Sequence, residues 1–134
     1  TYNKKLIKNR NQFNSLRKKN LNKKNIIAIK ENSFNLPSIF KQNYFDIIWI
    51  DGDHLDPQVS LDVFTSYHLL KRKGIFCCDD VNLDINDPVR YRTDVDKILK
   101  YLEKNKMVKT YYFVKRVNKN NSFTKKYCSI SYKI

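Results

Sequence analysis

One stretch constrains the fold more than any other: Phe45-Asp46-Ile47-Ile48-Trp49-Ile50, followed without a break by Asp51-Gly52-Asp53-His54. A strand with apolar residues at both odd and even positions has no face left for water. It is expected as a central strand of a parallel sheet, with Trp49 in the core. A parallel neighbour needs a crossover, usually a helix. The next segment supplies one. Asp56 suits the N-cap and Pro57 the first helical position, and Val59, Val63, Tyr67 and Leu70 recur at helical spacing. Lys71, Arg72 and Lys73 sit where the helix dipole favours cations, and Gly74 is the expected terminator. Ile75-Phe76-Cys77-Cys78 then reads as a second buried strand, ending in Asp79-Asp80.

The flanking sequence extends this pattern. Residues 3–20 carry a sparse apolar stripe of Leu6, Phe13 and Leu16 in a polar helix. Ile26-Ile27-Ala28-Ile29 reads as a short buried strand, and residues 35–41 as a connection in which Pro37 suits a first helical turn. Residues 82–88 form a polar loop. Residues 91–105 form an amphipathic helix with Val95, Ile98, Leu99 and Leu102 inward. Residues 110–117 and 126–134 are aromatic and β-branched strands, and the turn chemistry of residues 118–122 makes them a hairpin. The predicted fold is α/β: a Rossmann-like, mostly parallel sheet with a C-terminal antiparallel hairpin. The 134 residues fit a single domain, with 1–25 as a basic helical segment and 26–134 as the sheet core carrying the site.

Charge is unevenly placed. The net charge is +14, and residues 1–30 hold ten Lys or Arg and no acid. Residues 46–96 hold eleven of the thirteen acids. Lys, Asn and Ile are overused together, as an AT-rich coding sequence would produce, so the excess of lysine reads as composition ahead of a polyanion site. The acidic stretch needs a reason, because neighbouring carboxylates repel unless a metal, hydrogen bonds or a helix N-terminus offsets them. Cys77, Cys78 and Cys128 form neither a disulfide framework nor a CxxC zinc site, and Cys77 and Cys78 read as core residues. A reducing, intracellular (cytoplasmic) setting is expected. No apolar run approaches the roughly 20 residues of a membrane span.

Open α/β sheets bind ligands beyond the carboxyl ends of their strands. Asp51, Asp53, Asp79 and Asp80 all lie at such ends. If the two strands are neighbours, Asp51 and Asp79-Asp80 converge, and three close carboxylates call for a cation. Oxygen donors alone select a hard ion such as Mg²⁺, Ca²⁺ or Mn²⁺. The competing reading makes these residues caps and turns. His54, beside Asp53, is a candidate general base. Gly52 permits a tight turn or the close approach of a ligand.

The succession of Phe45-to-His54, a helix ending Leu69-Leu70-Lys71-Arg72-Lys73-Gly74, and Ile75-to-Asp80 resembles class I S-adenosylmethionine-dependent methyltransferases. Within them it resembles the metal-dependent O-methyltransferases, both the catechol type and the group acting on sugars of natural products. The resemblance spans roughly residue 20 to the end. It implies that Asp51, Asp79 and Asp80 hold a divalent ion, Mg²⁺ or another hard ion, against the acceptor's hydroxyls. It implies a base at Asp53 or His54. It implies cofactor contacts from Asn32 and Ser33, in the turn that touches adenine, and from Asp51 and Gly52. The acceptor it implies is a hydroxylated small molecule or a sugar. Methyl transfer to oxygen needs an oxyanion nucleophile, which a metal and a base together supply.

Such enzymes carry a Gly-rich turn after their first strand and an acid after the second. Here the only glycines are Gly52 and Gly74, and neither opens such a turn. The first two strands are therefore expected to be lacking, and a chain opening on Thr1 reads as part of a longer enzyme. Two other functions remain open. Asp51-Gly52-Asp53 after an apolar strand also suits a nucleotide-sugar glycosyltransferase, and the basic charge suits a non-enzymatic nucleic-acid-binding module.

Overall fold

The computed structural model describes residues 10–83, 93–118 and 124–134. The chain divides into two compact units, Thr1–Glu31 and Asn32–Ile134. In the first, helix α1 (Arg10–Leu21) occupies most of the predicted helical segment; residues 3–9 lie outside the described part. Residues 26–29 form no strand, contrary to expectation, and Ile27 is 87% exposed. Apolar, β-branched character is a disposition only. A strand exists only through a partner's backbone, which the pattern of one segment does not supply.

The second unit opens with a 3₁₀ turn (Ser33–Asn35) and a one-turn helix α2 (Leu36–Ile39) that has Pro37 near its start. Strand β1 (Phe45–Ile50) is followed by helix α3 (Gln58–Leu69), strand β2 (Leu70–Val81), helix α4 (Val95–Lys104) and the hairpin strands β3 (Val108–Asn118) and β4 (Thr124–Lys133). The sheet order is β1-β2-β4-β3. β1 and β2 are parallel, while β4 is antiparallel to both of its neighbours. This is the expected α/β arrangement with its terminal hairpin, in the form of a mixed sheet.

Three expectations are corrected. β1 is an edge strand of the described sheet, and its outward residues Ile47 and Trp49 are 65% and 58% exposed, so Trp49 is not core. Helix α3 starts one residue late, with Pro57 at the N-cap position and no side-chain cap bond. It also ends early. Leu70 is already extended, and Lys71, Arg72 and Lys73 belong to β2. The left-handed residue there is Lys73, with φ 61°, while Gly74 is needed for space. A Cβ on Gly74 would lie 2.8 Å from both the Leu70 Cγ and the Lys71 carbonyl oxygen. The predicted loop and helix start across residues 84–92, and most of the hairpin turn at 119–123, fall outside the described residues.

The core lies where β1 and β2 meet α3 and α4. Ile50, Phe76, Cys78 and Val81 pack with Val59 and Val63 of α3 and with Val95, Ile98, Leu99 and Leu102 of α4. The periodic apolar positions of both helices are thus their buried faces. Burial of this kind is worth roughly 1.5–3 kcal/mol per large side chain and holds the carboxyl ends of β1 and β2 side by side.

Candidate functional site

β1 runs out at Ile50, paired with Cys78, so Asp51 just beyond β1 and Asp79 near the end of β2 stand at the same level on neighbouring strands. The segment after β1 is pinned from α4. The Asp94 N–H donates to the His54 carbonyl at 2.8 Å, and the Asp94 carboxylate accepts from the Asp56 N–H at 3.2 Å. Asp53 is turned onto its own backbone, its carboxylate accepting from the Leu55 N–H at 3.0 Å. His54 points inward. Its Nε2 lies 3.9 Å from Asp51 Oδ1 and 3.9 Å from Asp80 Oδ2, so the imidazole stands between the two acidic pairs.

Asp79 and Asp80 sit on a β-bulge. Cys78 pairs with Ser129 and Val81 with Tyr127, so three steps on β2 face two on β4. Bulges redirect side chains, and they concentrate near functional sites. Asp80 adopts φ 52°, a left-handed conformation that Asp tolerates better than most residues. Asp79 is buried, and its Oδ1 accepts from the Asp80 N–H at 2.8 Å.

The two hairpin strands bring cations to this point. Lys115 donates to Asp79 Oδ2, and the same ammonium lies 3.8 Å from Asp80 Oδ1. Lys126 donates to Asp80 Oδ2 at 3.2 Å. Burial pushes the Asp79 carboxyl up, but it is outweighed by the Lys115 hydrogen bond, the Asp80 N–H and the charges of Lys115 and His54. Asp79 is held below the ordinary carboxylate range. The hydrogen bond to Asp79 raises the Lys115 ammonium above its ordinary value, against a smaller effect of burial, with help from the charges of Asp79, Asp80 and Asp51.

A second polar row runs beside the first. Asn32 caps the 3₁₀ turn by accepting from the Phe34 N–H at 3.1 Å. Gln58 of α3 donates to Ser33 Oγ at 3.1 Å and to Asp62 Oδ1 at 2.7 Å. A Cβ on Gly52 would lie 3.2 Å from Asp62 Oδ2, so the missing side chain lets α3 approach the end of β1.

The residues expected from the sequence therefore separate. Asp51, His54, Asp79 and Asp80 are brought together. Asn32, Ser33 and Gly52 join the row along α3. Asp53 is engaged in its turn. Lys115, Lys126, Gln58, Asp62 and Asp94 complete the site and were not anticipated. Gln58 and Asp62 are four apart on a helix, a spacing that could have marked them as a pair. The lysines had no contrast in a chain so rich in lysine.

Asn32, Ser33 and Gln58 carry both hydrogen-bond donors and acceptors, and Asp62 carries acceptors only, which is the mixed set that could meet the edge of a nucleoside base. A divalent ion fits less well. Asp79 and Asp80 each already have an ammonium partner. Among the described residues, no group of three or more His, Cys, Asp or Glu side chains is arranged to hold a metal ion. Among the described residues, no helix is long and apolar enough to cross a membrane.

Two solved structures share the fold. A SAM-dependent methyltransferase from Archaeoglobus fulgidus matches at 12% identity and a TM-score of 0.60, covering 81% of this chain and 68% of that one. A SAM-dependent methyltransferase from Methanosarcina mazei matches at 13% identity and a TM-score of 0.55, covering 90% and 76%. At such identities the likeness is one of fold. No curated protein matches the sequence. A family model described as a methyltransferase domain matches residues 4–81, from before α1 through β1, the Asp-Gly-Asp-His segment and α3 to the end of β2. That match covers more than half of the chain and the first two elements of the site, and the chain belongs to the methyltransferase-domain family.

Proposed function

We propose that this chain forms the acceptor side and part of the cofactor side of an S-adenosylmethionine-dependent methyltransferase acting on a hydroxyl group of a small molecule or sugar. The observation carrying this reading is the placement of Asp51, His54, Asp79 and Asp80 at the carboxyl ends of two adjacent parallel strands in a methyltransferase-family sheet. When bound, S-adenosylmethionine supplies the methyl group as an electrophile. Asn32, Ser33, Gln58 and Asp62 would hold its nucleoside end through hydrogen bonds. Gly52 keeps the backbone thin where Asp62 approaches.

In this reading His54 would accept the acceptor's proton. Its imidazole reaches toward both acidic pairs, whereas one Asp53 oxygen already serves a backbone N–H. Asp51 and Asp80 flank that imidazole and would orient it. The Mg²⁺ expected from the resemblance has no step in this scheme, because Asp79 and Asp80 are met by Lys115 and Lys126.

Calorimetric titration of the full-length protein with S-adenosylmethionine tests the reading. Binding is expected, and weaker by about tenfold or more in Ser33→Ala with Asp62→Ala. A second titration uses a uridine diphosphate sugar. Binding of that ligand without S-adenosylmethionine binding would instead favour a glycosyltransferase and end the proposal. Methylation assays on hydroxylated acceptors should lose about 10²–10⁴-fold in rate with His54→Gln if His54 is the base.

A further inference from the structure

We infer that Lys115, with Lys126, stands in the place of a divalent ion, so that this site meets its acceptor with a protein ammonium. The inference takes the acceptor from the function proposed above, but its evidence concerns the cation alone.

A hard divalent ion binds carboxylate oxygens at roughly 2.0–2.6 Å and needs several of them turned toward one point. Here Asp79 Oδ2 is taken by Lys115, Asp80 Oδ2 by Lys126 at 3.2 Å, and the remaining Asp80 oxygen faces Lys115 at 3.8 Å. Asp79 Oδ1 is turned to the Asp80 N–H. Two ammonium groups carry the charge of one divalent ion, so the three carboxylates are offset to the same extent without a metal. Asp51 contributes to the field at Lys115 even though no direct bond joins them.

The backbone contributes as well. Val114 pairs with Tyr127 and Arg116 with Lys126, so Lys115 is an extra residue on β3, the bulged member of its pair. The Asp79-Asp80 bulge on β2 closes at the same Tyr127 from the other side of β4. Two bulges on either side of one residue direct the carboxylates and the ammonium toward each other. This arrangement follows the strand pairing. Lys115 is thereby a group placed to hydrogen-bond the acceptor's oxygen and to stabilise its negative charge as the proton leaves.

The test uses Mn²⁺ alone as probe, with binding read by electron paramagnetic resonance on the full-length protein, and it requires no methyl transfer. Wild type and Lys115→Arg are expected to bind Mn²⁺ weakly. Lys115→Met, which keeps the aliphatic stem, is expected to bind it at least about tenfold more tightly because the carboxylates are released. Circular dichroism establishes that the variant is folded. If it is not, Lys126→Met, which frees Asp80 only, should show a gain in the same direction. Tight Mn²⁺ binding by wild type, equal to that of Lys115→Met, would overturn the inference, since the lysine would then yield to the metal. Absence of any gain in folded variants would also overturn it, since the carboxylates would then not form a cation position at all. Because S-adenosylmethionine titration is a separate measurement, failure here is distinguishable from failure of the proposed function.

Discussion

Tyr112 on β3 has a buried hydroxyl with no hydrogen-bond partner among the described residues. Burial above all, then the charges of Glu103, Asp96 and Cys78, pushes its phenol up to about 12. A buried hydroxyl without a partner costs desolvation and returns nothing. Tyr112→Phe is therefore expected to leave stability unchanged or to raise it by up to about 1 kcal/mol, read as the urea midpoint. A loss of more than that amount would show that the hydroxyl has a role. Cys78 obeys the same physics. Burial, only partly opposed by Ser129, pushes its thiol up to about 12, which matches its reading from the sequence as a small core residue. His54 and Asp53 show the opposite outcome. Both neighbours read as candidate bases in the sequence, and the structure sets one side chain between two acids and the other in its own turn.

Between elements, Lys133 joins the last strand to the crossover helix. Its buried ammonium donates to the carbonyls of Tyr67 and Leu70 at 2.7 Å each and to Asn43 Oδ1 at 3.2 Å. Tyr67 lies in the last turn of α3 and Leu70 is its C-cap, where a helix leaves acceptors unpaired and its dipole favours a cation. Burial holds this lysine below its ordinary value, so its position reflects the bonds it makes and not ease of ionisation. Lys133→Met should cost about 1–3 kcal/mol, because two carbonyls lose their partner while the packing volume is kept. An unchanged urea midpoint would refute this. The sequence had assigned the end of α3 to Lys71, Arg72 and Lys73. That reading missed that the cation at this helix end comes from a residue more than sixty positions away.

Across the whole molecule, β2 and β4 are paired on both sides and β1 on one. Hydrogen exchange is expected to be slowest at Cys77, Cys78, Ser129 and Ile130, faster through β1, and fastest at residues 26–30. Strong protection of residues 26–30 would contradict the absence of a strand there. From β1 onward the order and kind of the elements were legible in the sequence. Helical spacing, apolar β-branched runs, proline positions and turn residues act within a few residues of themselves. The acidic segments Asp51-Gly52-Asp53-His54 and Asp79-Asp80 were legible too, as chemistry placed directly after buried strands. Tertiary structure alone decided that β1 lies at an edge of the described sheet with Trp49 exposed, that residues 26–29 form no strand, and which cations answer the acids. Lys115 meets Asp79 across 36 positions of chain and Lys126 meets Asp80 across 46. Such pairings are set by sheet register and by bulges. Both are properties of two strands at once, and no local pattern in a chain so rich in lysine could have singled out these two.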